Sequence, residues 1–226
     1  MPIKSEKSFK YFVNDVQDLG TNIFAVNLCP LGRGMAHKPG HLCKVQGRDG
    51  KGRFYSIVNQ PDQKKMLSIH VRITEGKSSA VKDLLKINYQ FELDGPYGNM
   101  HKVLLTDKTR ILFAEGLGLS AFHSLLQNVR TSYQETHLIW VREKDDNAYC
   151  TSLIKKWQNS ITFLKTHIID KDDSSLPLCI DYCQEVLKNN DQVILAFAGS
   201  LNTSNYIRDE ILSNHCEQNL EYISDV

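Results

Sequence analysis

The periodicity of this 226-residue chain changes once, near residue 107, and that change limits the folds open to it. Before that point, short alternating apolar–polar segments dominate: Lys10–Val16, Asn22–Leu28, His41–Gln46, Arg53–Val58, Met66–Ile73 and Tyr89–Leu93. Gly-, Pro- and Asp-containing turns separate them, the pattern of an antiparallel barrel. One helix, about Ser78–Lys86, has the apolar spacing to plug a barrel end. After residue 108 near-continuous apolar strands alternate with amphipathic helices. The strands are Arg110–Ala114, Thr136–Val141, Thr162–Ile169 and Gln192–Ala196. Helices are expected near 120–131, 147–158, 178–188 and 204–214. Strands buried on both faces require helices on both sides of a parallel sheet. The sequence therefore predicts two domains: an antiparallel Greek-key β-barrel over residues 1–107 and an α/β parallel-sheet domain over residues 108–226.

Three short stretches of the first half carry chemistry. Arg53-Phe54-Tyr55-Ser56 puts a cation, an aromatic face and a hydroxyl at one place on a sheet. Gly76-Lys77-Ser78-Ser79 lies where a strand gives way to a helix, so its backbone N–H groups suit a phosphate. Helix capping alone would also explain it. Asp94-Gly95-Pro96-Tyr97-Gly98 reads as a turn cluster closing the strand before it. In the second half, Glu115-Gly116-Leu117-Gly118-Leu119-Ser120 joins a strand to a helix, and Phe197-Ala198-Gly199-Ser200 follows the last predicted strand.

In this order the stretches resemble the ferredoxin–NADP reductase superfamily, and the layout is most similar to its short NAD(P)H:flavin reductases. The resemblance implies a flavin (FAD, or FMN or riboflavin) held by Arg53, Phe54, Tyr55 and Ser56, with strand contacts from Ile69, His70 and Val71. Gly76, Lys77, Ser78 and Ser79 would receive its phosphate. It implies a pyridine nucleotide, NADH or NADPH, on the Gly116-Leu117-Gly118 turn, with Arg142 on the adenosine side and Gly199 and Ser200 beside the nicotinamide. Ser56, nearest flavin N5, would be the catalytic position. The implied reaction is hydride transfer from nicotinamide to flavin, with electrons passed to a small acceptor or a redox partner protein.

The chain departs from the family pattern at Glu115 and Leu117, where small or hydroxylated residues are expected, and in ending without the usual aromatic residue, though Tyr222 could stand in. A carboxylate beside a diphosphate is repulsive, so a flavin-binding electron carrier or regulatory relative with impaired NAD(P)H use is a second reading. A third is a serine hydrolase, from Gly118-Leu119-Ser120-Ala121-Phe122 with Asp170 or Asp181 and His215; Phe122 in place of a glycine counts against it. Arg142 could instead pair with Glu143 or Asp145. His70 and Arg72 share one strand face, solvated or functional, while Ser200, Asn202 and Thr203 suit a helix cap.

Charge and cysteine usage bound the rest. Residues 1–107 carry 16 Lys and Arg against 10 Asp and Glu, and residues 108–226 carry 11 against 16. A basic first half suits a phosphate-bearing ligand. No dense basic stripe interleaved with aromatics points to nucleic acid. Six scattered cysteines without a Cys-x-x-Cys pair suggest free thiols, neither a metal site nor an iron–sulfur centre. With no apolar run of about 18 residues and a polar start, the expectation is a cytoplasmic protein without a membrane span.

Overall fold

The computed structural model describes residues 8–74, 79–129, 134–147, 149, 151–213 and 220–224. The first half is a six-stranded antiparallel sheet. Its strands are β1 (Ser8–Asp18), β2 (Ile23–Pro30), β3 (Leu42–Gln46), β4 (Gly52–Ser56), β5 (Leu67–Arg72) and β6 (Gln90–Tyr97). Their order in space is β4-β3-β6-β1-β2-β5. The sheet curls until its ends meet, through an antiparallel bridge Ile57↔Ile69 and a Val58 N–H bond to the Ser68 carbonyl of 2.9 Å. Alternation decides which side faces in: Tyr11, Val13, Val26, Leu28, Leu67, Ile69 and Val71 share one buried core.

Helix α1 (Ser79–Asp83) is little more than one turn, too short to persist alone. Val81 and the following Leu84 insert into the barrel core. Each buried aliphatic side chain contributes about 1.5–3 kcal/mol, so burial holds this plug in place. One expectation is corrected here. The Asp94–Gly98 stretch does not end a strand at Leu93, because β6 continues through Gly95 and Pro96 to Tyr97. The pairing of β3 with β6 shifts register between Leu42 and Lys44, so the two turn-forming residues sit in a bulge.

The second half is an all-parallel sheet of β7 (Thr109–Glu115), β8 (Thr136–Arg142), β9 (Leu164–Asp170), β10 (Val193–Ala198) and β11 (Leu220–Ser224). The order is β11-β10-β7-β8-β9. Helices α2 (Leu119–Val129) and α3 (Thr151–Ser160) cover one face; α4 (Ser175–Lys188) and α5 (Leu201–Leu212) cover the other. Along β7 the two cores alternate, Leu112 and Ala114 to one side, Ile111 and Phe113 to the other. The edge strand β11 and a 3-10 turn over Met100–Leu105 were not expected from the sequence. Helix α4 begins at Ser175, three residues earlier than expected, with Pro177 in its first turn, where a missing N–H costs nothing.

Strand order reverses between β7 and β10: the chain adds β8 and β9 on one side, then returns to place β10 on the other. Open α/β sheets bind ligands at such a switch point, beyond the carboxyl ends of the strands. Among the described residues no helix is long and apolar enough to cross a membrane.

Candidate active site between the two sheets

Strand β4 supplies one wall of a trough between barrel and parallel sheet. Two cavities meet along Phe54, Tyr55 and Leu117. The first, 370 Å³, reaches past Ser56 and His70 to the switch-point loops at Glu115–Ala121 and Ala198–Ser200. The second, 300 Å³, runs past Arg53 and Arg72 towards Val81 of the plug helix. Tyr55 is half-buried at the junction, and burial pushes its phenol up to about 12, so it stays neutral. Phe54 is 56% exposed and meets Tyr97 edge-on at 5.4 Å. A larger cavity of 630 Å³, lined by His137, His167 and Tyr182, lies elsewhere and shares no residue with the trough.

The basic groups are distributed differently from expectation. Arg53 forms a close ion pair with Asp49, at 2.5 Å, on the turn before its own strand. Arg72 reaches the other way and pairs at 2.6 Å with buried Asp146 from the loop after β8. Its Nε is buried without a hydrogen-bond partner, and Arg72 is among the residues lining the second cavity. Two arginines, Arg53 and Arg72, thus border this end of the trough, each with a carboxylate partner. His70, on the same face, bonds through Nδ1 to the Tyr149 hydroxyl at 2.8 Å. His70 is therefore buried and Arg72 partly so, and both join the two halves of the molecule. Ile69 and Val71 point into the barrel core and line neither trough cavity. Ser79 opens α1, whereas Gly76, Lys77 and Ser78 lie outside the described residues.

Burial, followed by the charge of His123, lowers the His70 pKa from 6.5 to about 3. The unfolded chain takes up this proton near the unperturbed value, and the native state refuses it until far lower pH. The contribution of neutral His70 to stability is thus full above about pH 6.5 and is lost as pH falls towards 3. At pH 4.5 the loss is about 2–3 kcal/mol, from about 1.4 kcal/mol per unit. Urea midpoints at pH 7.5 and 4.5 should separate wild type from His70→Gln, the variant losing less on acidification. Equal losses in both proteins would refute this assignment.

The switch-point loops are held tightly. Gly116 adopts φ +53°, and its carbonyl accepts the Trp140 indole N–H at 2.9 Å. A Cβ on Gly118 would lie 2.0 Å from the Ala198 carbonyl oxygen, so the two loops touch backbone to backbone. Ser200 caps α5 by accepting the Thr203 N–H at 3.3 Å. The Glu115 carboxylate accepts the Ser200 N–H at 3.0 Å and pairs with Lys171 at 3.1 Å. Burial alone would raise this carboxyl; hydrogen bonds from Ser200, Lys171 and Thr203 outweigh it and hold Glu115 below the usual range. Lys171 also binds Glu143 at 2.9 Å. Arg142 pairs with Asp170 directly across the sheet at 2.7 Å.

Sequence reading missed Lys171, Asp146 and Tyr149 as members of this region. The outward alternation of His70 and Arg72 on β5 was the available signal that something faces them. Tyr222 lies on β11 with its hydroxyl on Ser204 and lines neither trough cavity. Of the hydrolase candidates, Asp170 is engaged by Arg142, Asp181 is exposed on α4, and His215 lies outside the described residues. The described cysteines Cys29, Cys43, Cys179 and Cys183 are free thiols.

No protein-family model matches the chain. It is 29% identical over 136 residues to terephthalate 1,2-dioxygenase, reductase component 1, of a Comamonas species. That match spans 58% of this chain and 40% of the relative. Ferredoxin-NADP+ reductase from Plasmodium falciparum superposes with a TM-score of 0.75 at 17% identity, over 97% of this chain and 96% of that one. Phthalate dioxygenase reductase, described as a modular structure for electron transfer from pyridine nucleotides to [2Fe-2S], superposes with a TM-score of 0.70 at 15% identity. That alignment takes in 96% of this chain and 68% of the reductase. The chain has the two-domain fold of the ferredoxin–NADP reductase superfamily, which its short motifs resemble.

Proposed function

We propose that this chain is an NAD(P)H-dependent flavin oxidoreductase unit that passes electrons to a small acceptor or a redox partner protein. In this reading residues 1–107 hold the flavin, as FAD, FMN or riboflavin, and residues 108–226 receive the pyridine nucleotide. The observation that carries the reading is the pair of cavities joined at Tyr55, one open to the switch-point loops and the other bounded by Arg53 and Arg72. Flavin, when bound, supplies the ability to take a hydride from reduced nicotinamide and release electrons onward.

The residues divide the remaining work. Tyr55 offers a neutral flat face for stacking, and Phe54 extends the apolar wall. The Ser56 hydroxyl, on a residue lining the first cavity, bonds the polar edge of the ring and fixes its depth. In this reading the ring approaches the β5 backbone at Ile69 and Val71, and Arg72 joins the Gly76–Ser79 segment in meeting the phosphate-bearing tail. Gly116 and Gly118 bring the turn backbone close to a diphosphate, while Ala198, Gly199 and Ser200 bound the nicotinamide position. Closing these groups around the rings positions them and excludes water.

Purified protein should quench the fluorescence of added FAD, FMN or riboflavin, and anaerobic NADH or NADPH should bleach the bound flavin. Tyr55→Ala should weaken flavin binding about tenfold, the equivalent of about 1.4 kcal/mol of stacking, with the fold intact by circular dichroism. Absence of quenching with all three flavins would end the proposal. Quenching without bleaching would favour the second reading, a flavin-binding electron carrier with impaired nucleotide use; the carboxylate of Glu115 in the crevice is the observation behind it.

A further inference from the structure

Glu115 lines the first cavity together with Tyr55, Ser56, Gly118 and Ser200. Its carboxylate takes two groups suited to an external anion. One is the Ser200 N–H at the head of the twelve-residue helix α5, 3.0 Å away. The other is the Lys171 ammonium, 3.1 Å away on the loop after β9. The Glu115 side chain is only 13% exposed, and its backbone leads directly into the Gly116–Gly118 turn. A diphosphate laid along that turn meets a fixed negative charge and finds the nearby positive groups engaged. Lys171 is held a second time by Glu143, and neighbouring Arg142 is held by Asp170. The mouth of the crevice is therefore crossed by ion pairs from three consecutive strand ends.

We propose that Glu115 is a built-in latch on the nucleotide crevice. Its carboxylate occupies the Ser200 N–H and the Lys171 ammonium, and nucleotide binding requires that side chain to swing away and release both. The latch rests on the reading of this crevice as a dinucleotide site, and it assigns control of that site to one residue. Once Glu115 leaves, Lys171 becomes the cation that meets the diphosphate.

The test measures binding of ADP-ribose, which carries the diphosphate without the reactive ring, by titration calorimetry on the full chain. Glu115→Ala should bind ADP-ribose at least tenfold more tightly than wild type. Glu115→Gln keeps the size and the Ser200 bond but loses the ionic hold on Lys171, and should fall between them. Adding Lys171→Met to Glu115→Ala should remove most of the gain. Unchanged or weaker binding in both Glu115 variants overturns the latch, as does a double variant that keeps the full gain. Failure to detect ADP-ribose with any of the proteins overturns it too. Flavin quenching by the same preparations reports on the flavin trough separately, so failure of the latch leaves that result standing.

Discussion

Gly118→Ala is expected to be the most damaging small substitution in the molecule. The added carbon would sit 2.0 Å from the Ala198 carbonyl oxygen, 2.6 Å from its carbonyl carbon and 3.2 Å from the Gly199 nitrogen. All three are backbone atoms, so no side chain can turn aside; the loops after β7 and β10 must separate. Overpacking of this kind costs about 1–3 kcal/mol and sometimes more, and here it also reshapes the floor of the first cavity. Gly116→Ala, two residues earlier, is the informative contrast. Its φ of +53° is strained for alanine, but a Cβ there meets nothing within 4 Å, so the cost should stay near about 1 kcal/mol. Urea midpoints for the two variants check the order. A Gly118→Ala protein as stable as Gly116→Ala would show that the loops do not touch as described.

The second large effect is expected at the join between barrel and parallel sheet. Asp146 is 3% exposed at its side chain, and Arg72 is its ion-pair partner. Arg72→Met leaves that carboxylate buried without its counter-charge, a change that typically costs about 3–5 kcal/mol. Adding Asp146→Asn removes the orphaned charge and should recover a large part of the loss. Equilibrium denaturation of the two single variants and the double variant reads the coupling directly. Additive losses, with no recovery in the double variant, would mean that the pair contributes nothing to holding the halves together. The Arg72 variant should also bind flavin less tightly, because Arg72 is among the residues lining the second cavity.

The architecture was legible because period is a local property. Alternation along Met66–Ile73 and the unbroken apolar run at Thr136–Val141 each report their own burial without reference to distant residues. Where local signals conflicted with long-range packing, the reading erred. Gly95-Pro96 carries turn chemistry, yet a Cβ on Gly95 would press on the Met35 sulfur at 3.0 Å, so close approach explains the glycine inside a strand. Strand β11 was missed because Leu220-Glu221-Tyr222-Ile223-Ser224 is half polar, as a short sheet edge permits. The trough residues on β4 were visible as a group. Their charge partners were not: Arg72–Asp146, Glu115–Ser200 and Arg142–Asp170 join residues far apart in the chain, and no spacing rule foretells such pairs.

The return of β10 to the flank of β7 also has a kinetic meaning. Phe113 and Phe197 are register partners with ring centroids 5.6 Å apart, although roughly eighty residues of chain separate them, so this pairing has high contact order and bears a large loop-closure cost. During synthesis β7 leaves the ribosome long before its inner neighbour exists and is matched only by β8, which follows it. The floor of the crevice is consequently among the last parts of the molecule to assemble, and a chain arrested before Val193 would display the bare apolar edge of β7 to any other nascent strand.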